Sequence, residues 1–156
     1  IKLGTTGSVL RASGVDFDIR KKEPYDVYEE LDFQTNVLKE GDSYARSKIP
    51  WLDMLESCRI IRDALQKMPK SGSVRIKLKP KPKGGDTEVY RRVESGRGSL
   101  GMHIISNNKP QPYRLKISVP SFRNLIAMPH LLTGEKLGNL PPVYWSLNYW
   151  PVEADR

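Results

Sequence analysis

The sequence predicts an α+β fold, with long bundle-type helices beside a small antiparallel β-sheet. Three observations predict it. From Ile49 to Met68 apolar residues recur every three to four positions, which draws one stripe along a long helix. Between Val89 and Val119 three segments alternate apolar with polar residues, the period of half-buried strands. Pro120-Ser121 then stops the last strand and opens an apolar helix at Phe122.

Taken in order, Ile1–Leu10 contains the loop Thr5-Thr6-Gly7-Ser8, and residues 8–15 are rich in small side chains that permit close backbone packing. Asp16 and Asp18 alternate with Phe17 and Ile19. Two carboxylates at this spacing read as a solvated loop before a metal site, because a hard cation takes six or more oxygens. Arg20–Tyr25 is a charged turn, and Tyr28–Phe33 reads equally well as a short helix or a strand. A helix over about 42–68 is capped by Asp42 or Ser43. Its stripe is Ile49, Leu52, Leu55, Cys58, Ile61, Leu65 and Met68, so Cys58 reads as a core residue. Pro50 kinks the helix or starts its second part, and Pro69 ends it.

Strands are expected over about 74–79, 88–94, 102–106 and 113–119. Arg75, Lys77, Lys79, Lys81 and Lys83 form a basic run without interleaved aromatic rings, which single-strand nucleic-acid platforms normally supply. A solvated strand face outweighs an RNA or protein contact there. Gly96–Gly101 spells G-x-G-x-x-G. That motif holds a dinucleotide only when a helix follows and an acidic residue lies about 20 positions on. A strand follows here, so the glycines read as a turn, with Gly98 at positive φ. Asn107–Pro110 is a loop. A helix over about 122–133 is interrupted by Pro129 and ended by Gly134 or Gly138. The tail, 139–156, carries Tyr144, Trp145, Tyr149 and Trp150 and is expected to be buried against this chain or another.

The 156 residues make one domain's worth of chain, and a hydrophobic content of 38% implies one that leans on partners. A net charge of +8 points to acidic or phosphate-bearing neighbours without choosing among them. One cysteine excludes an internal disulfide and a cysteine metal cluster. No run of 18 apolar residues is present, and the start at Ile1 without a leader pattern is read as processing or a fragment. His103 and His130 have no second ligand at metal spacing and read as structural polar groups.

Several ordered blocks carry a resemblance. They are Leu10-Arg11-Ala12-Ser13-Gly14-Val15, Glu23-Pro24-Tyr25-Asp26-Val27-Tyr28, Gly41-Asp42-Ser43-Tyr44-Ala45-Arg46, Arg59-Ile60-Ile61-Arg62 and Pro112-Tyr113-Arg114-Leu115-Lys116, then Pro120-Ser121-Phe122 and Asp155-Arg156. The chain resembles the C-terminal part of the hydrogenase-derived D subunit of complex I, the subunit that shares a quinone pocket with an iron–sulfur neighbour. The resemblance implies the C-terminal portion only of a hydrogenase-large-subunit-like domain, spanning residues 1–156. In nickel–iron hydrogenases of the same family, Cys-x-x-Cys before the final Asp/Glu-Arg holds nickel. Trp150 and Glu153 stand at the matching positions, so no metal is expected on this chain.

By the same resemblance Trp150, Asp155 and Arg156 bind the quinone and Glu153 and Asp155 deliver protons, with the equal alternative that Asp155 and Arg156 are a buried structural pair closing the C-terminus; Arg97 and Gly98 form a turn near the pocket. The implied function is that of a subunit of an NADH or reduced-deazaflavin:quinone-type oxidoreductase, inactive alone. It would bind no cofactor itself, take electrons from an iron–sulfur cluster on a neighbour, and reduce quinone or methanophenazine. The implied partners are that neighbour, the N-terminal half of the same subunit and membrane-arm subunits. The implied location is peripheral, on the cytoplasmic face of the plasma membrane or the matrix face in a mitochondrion. Asn148 and Val152-Glu153-Ala154 depart from the usual complex I tail, and a helical insertion beyond Met68 is absent. Both point to an archaeal-type relative, the deazaflavin-oxidising form. The rival readings are a basic nucleic-acid-binding module using Arg75–Lys83 and Tyr113–Lys116, and a scaffold without a redox role. No nucleic acid is expected under the favoured reading.

Overall fold

The structure, a computed structural model, describes residues 1–77 and 84–155. Its elements are α1 (Gly7–Arg11), α2 (Ile19–Lys22), α3 (Ser43–Lys67), β1 (Asp86–Ser95), β2 (Gly98–Asn107), β3 (Arg114–Ser118), α4 (Pro120–Leu125), α5 (Met128–Leu132), α6 (Leu140–Ser146) and α7 (Pro151–Ala154). Short 3-10 turns cover Tyr28–Glu30 and Leu137–Asn139. Helices with a small antiparallel sheet form the α+β architecture that the sequence predicts.

Asp42 starts α3 by accepting the Ala45 N–H at 2.7 Å. The helix runs on through Pro50 without a break. Its buried residues are Ala45, Arg46, Ile49 and Glu56. Helices α1 and α6 pack against α3. From Leu55 on the stripe is bare: Leu55, Ile61, Leu65 and Met68 are each about 60% exposed, and Cys58 is exposed rather than part of the core. The stripe exists as the periodicity predicts, but no described residue of this chain covers its second half.

Strands β1 and β2 pair from Asp86↔Asn107 to Ser95↔Gly98, which leaves Gly96-Arg97 as a two-residue turn. Strand β2 therefore runs further into the glycine cluster than the sequence predicts, starting at Gly98 instead of Met102. Gly101 stays in register because the Tyr90 ring occupies the space of a side chain, with its Oη 2.6 Å from where a Cβ would lie. Strand β3 pairs with β2 from Gly101↔Ser118 to Ile105↔Arg114. Val89, Ile104 and Leu115 are cross-strand neighbours on one face and stay 38–50% exposed. The strand expected over 74–79 is not formed at 74–77, and its remaining residues lie outside the described ones. Val74 and Ile76 are almost fully exposed, and alternation without a partner strand makes no ladder.

The helix expected over 122–133 is two helices. Helix α4 begins earlier, at Pro120, and α5 takes Pro129 into its first turn, where a missing N–H is harmless. The Tyr28–Phe33 ambiguity resolves as a 3-10 turn at Tyr28–Glu30.

Helix α1 joins two small cores. Val9 packs with Ala127 and Leu147, and Ala12 packs with Ala45 and Ile49. Ala12 has no exposed surface, so the small-residue stretch does bring backbones together. Arg46 ties α3 to α6 by donating to Ser146 Oγ (3.0 Å), and it also donates to Gly41 O (2.6 Å) and Ser43 Oγ (2.9 Å). The tail is only partly buried. Val143, Ser146 and Leu147 are inside, whereas Trp145 is 74% and Trp150 50% exposed, so of the two expected alternatives, burial against this chain or another, the described residues of this chain supply the cover only in part. The aliphatic side of α6 supplies the anchor and Tyr149 packs against that core, whereas the Trp145 ring stays outside it.

Candidate functional site

The two-residue turn after β1 is gripped from three sides. Thr6 Oγ1 accepts the Ser99 N–H at 2.9 Å, and Asn124 Oδ1 accepts the Thr6 N–H at 2.9 Å. Asn124 Nδ2 donates to Arg97 O at 3.3 Å. Asn124 is fully buried, so its amide spends both ends on fixing this turn against α1. Gly7 and Gly98 both have positive φ, +64° and +133°. A Cβ on Gly7 would meet Arg97 O at 2.5 Å, and one on Gly98 would meet Thr6 Oγ1 at 2.0 Å. Only glycine allows these two backbones to lie this close.

The tail reaches the same place through Ser121, which has no exposed surface. Its Oγ accepts the Trp150 N–H at 3.0 Å and donates to the Glu153 carboxylate. That fixes α7 on α4. The Arg97 guanidinium lies 5.4 Å from the centre of the Trp150 ring, a cation–π arrangement. Asn148, in the left-handed region at φ 49°, donates from Nδ2 to Gly96 O (3.3 Å) and Ser8 Oγ (3.4 Å). A carboxylate there has no proton to offer Gly96 O.

The structure thus brings Arg97, Gly98, Trp150 and Glu153 together around Ser121 and Asn124. Asp155 follows at the exposed end of α7, its N–H bonded to Pro151 O at 3.0 Å, and Arg156 lies outside the described residues. Sequence reasoning missed Ser121, Asn124 and Thr6. The available signal was a Ser and an Asn, three positions apart, on a short helix whose Phe122 is 64% exposed.

A second group of polar side chains lines a cavity of about 220 Å³ under the hairpin. Arg11 of α1 holds Asp53 of α3 with two hydrogen bonds of 2.8 Å. Burial works against the Arg11 charge, but the bonds to Asp53 overcome it and raise its pKa. Arg20 holds Asp18 through Nε (3.0 Å) and Nη2 (2.6 Å) and stacks 4.8 Å from the Phe33 ring. Asp18 is therefore a buried helix cap in an ion pair rather than part of a solvated loop, and Arg20 outweighs burial to lower its pKa. Glu94 faces the same cavity without a side-chain partner among the described residues, and its backbone N–H donates to Tyr25 Oη at 3.0 Å. Burial, then the charge of Asp18, push the Glu94 carboxyl up to about 7, against the opposing pull of Arg11 and Arg20.

Among the described residues no three His, Cys, Asp or Glu side chains gather as a metal site. His103 sits against Glu88 across the sheet, Nε2 to Oε1 2.6 Å. No described helix is long and apolar enough to cross a membrane.

The chain matches the family described as "Respiratory-chain NADH dehydrogenase, 49 Kd subunit" over residues 1–84 and again over 77–156. It is 41% identical over 155 residues to the D subunit of NADH-quinone oxidoreductase from Bacillus anthracis, covering 99% of this chain and 42% of the relative. The same-named protein of Bacillus cytotoxicus is 42% identical over 155 residues with the same coverage. A chain in the structure of the membrane-bound sulfane sulfur reductase, an archaeal respiratory membrane complex, superposes with a TM-score of 0.89 at 35% identity. That match covers 100% of this chain and 43% of the other. The chain spans less than half the length of the relatives it matches.

Proposed function

The chain belongs to the 49-kDa subunit family of respiratory-chain NADH dehydrogenases, and from that premise we propose that it forms one wall of the site where a respiratory membrane complex reduces a quinone-type acceptor. One observation carries the reading. Ser121 locks the tail through Trp150 and Glu153, yet the Trp150 ring is left half exposed with Arg97 over it. A cation carried on a clamped backbone and an aromatic face stand at an open surface instead of being packed away.

Two-electron reduction of such an acceptor builds negative charge on oxygen. A fixed guanidinium lowers that cost, and a nearby acid supplies protons. Arg97 fits the first role and Asp155, exposed at the end of α7, the second. Glu153 is held by Ser121 and positions the tail. Arg156 continues the chain from Asp155 and is assigned to the acceptor on the resemblance alone. Electrons come from an iron–sulfur cluster on a neighbouring subunit, and this chain holds no cofactor. The bare second half of α3 and the open apolar face of β1–β3 are where the remaining length of the subunit packs, since an α+β layer must bury its apolar side. The described cations Arg75 and Lys77 carry no aromatic ring between them, which counts against a basic nucleic-acid module there, whereas Tyr113 stands exposed beside Arg114 and Lys116. Peripheral attachment on the cytoplasmic face, beside membrane-arm subunits, completes the reading.

In the assembled complex, Asp155→Asn is expected to lower quinone-type acceptor reduction about tenfold, normalised to artificial-acceptor reduction by the same preparation. Equal normalised rates with an unchanged inhibitor response would assign Asp155 to structure alone. Turnover of sulfane sulfur but of no quinone-type acceptor by the wild-type complex would replace the acceptor class.

A further inference from the structure

We propose that Glu94 is a proton-loading group for the acceptor site, holding a proton in the cavity beneath the hairpin and releasing it through water when the acceptor is reduced. This rests on the acceptor-site reading above. Glu94 is the last residue but one of β1, and two positions beyond it the turn begins that carries Arg97.

Its surroundings leave it the one carboxyl of the cavity without a side-chain cation of its own among the described residues. Arg11 of α1 is closed on Asp53 of α3, and Arg20 of α2 is closed on Asp18. Each guanidinium is engaged by a two-point pair, the strongest geometry available to it. The other titratable groups packed around the site are Tyr25, which accepts from the Glu94 backbone, and Tyr28 at the cavity wall. Burial, then the charge of Asp18, outweigh the pull of Arg11 and Arg20, so the carboxyl holds its proton below about pH 7 and gives it up above.

The water route proposed from there runs toward the tail. The cavity of about 220 Å³ has room for several waters, and its wall is polar enough to hold them. A second cavity of about 260 Å³ shares Asp53, Ser57 and Gly96 with the first and is bordered by Asn148, two residues before Trp150. Ser8, in the wall of the first cavity, accepts from Asn148. A quinone-type acceptor takes two electrons from the iron–sulfur donor and two protons. The O–H bond of Glu94 breaks, water passes the proton on, and an O–H bond forms on an acceptor oxygen. The Glu94 carboxylate is then reloaded from bulk water, which also supplies the second proton.

The test compares wild-type, Glu94→Gln and Glu94→Asp complexes across pH, each rate normalised to artificial-acceptor reduction. A group that donates only when protonated makes the wild-type rate fall as pH rises through about 7. Glu94→Gln is expected to lose tenfold or more and to flatten that pH dependence, with partial rescue by Glu94→Asp. Infrared difference spectra of the wild-type complex supply a reading independent of activity. A protonated-carboxyl band should fade between about pH 6 and 8 and shift in Glu94→Asp. An unchanged rate and profile in Glu94→Gln overturns the proposal while acceptor reduction by the wild type keeps the site reading intact. If Glu94→Gln does not assemble, absence of the titrating band in the wild type overturns it instead. A wild-type complex that reduces artificial but no quinone-type acceptor removes the site reading first.

Discussion

Gly98→Ala is expected to cost the fold roughly 3–5 kcal/mol, a large share of the stability of an ordinary domain. Two effects add. At φ +133° an alanine sits in backbone territory that L-residues avoid, a cost on the order of 1–3 kcal/mol. Its Cβ would also lie 2.0 Å from Thr6 Oγ1 and 2.9 Å from Gly7 N, so α1 and the hairpin must part. Parting them breaks the Ser99 N–H bond to Thr6 and loosens the Asn124 clamp on Arg97. Gly72→Ala separates the two effects, because Gly72 has φ +139° but nothing near its missing Cβ. It should lose only the backbone share. The check is denaturant unfolding of the protein carrying each change, together with the yield of assembled complex. Equal losses in both variants would show that close approach at Gly98 contributes nothing.

Arg11→Met is expected to cost about 3 kcal/mol, near the low end for a broken buried pair because Asp53 keeps some solvent. Among the described residues Asp53 would retain only the Asn36 amide, at 3.1 Å. Removing one charge strands the other, whereas removing both leaves little to desolvate. The Arg11→Met/Asp53→Leu double variant should therefore recover much of the loss, giving a coupling of about 1–3 kcal/mol. Strictly additive losses in thermal unfolding of the three variants would mean that the pair has no energetic coupling.

What is legible in the sequence is local. The Asp42 cap and the stripe of α3 follow from side chains a few positions apart, as does the alternation of the strands. The glycine cluster reads as a turn rather than a nucleotide loop, and a turn forms there. Its extent escapes the sequence because Gly101 lies inside β2, and only the ring of Tyr90 explains that. The exposure of Cys58, Trp145 and Trp150 escapes it because periodicity and ring size say that a surface seeks cover, not that this stretch of chain supplies it. Within the site, the resemblance points to Arg97, Trp150 and Glu153. The residues that hold them cannot be found from spacing: Thr6 and Asn124 are 118 positions apart. In the neighbouring cavity, Arg11 and Asp53 are 42 apart. Asp18 pairs locally with Arg20, but its burial comes from the fold around α2.

The central claim is that the tail and the hairpin turn form a wall of the acceptor site. The direct measurement is photolabelling of the assembled complex with a photoreactive quinone analogue, followed by peptide mapping. The account predicts label on the peptides bearing Arg97 or Trp150–Asp155, lost when unlabelled acceptor competes. Label confined to other subunits or other stretches of this chain, with the same competition, would contradict it.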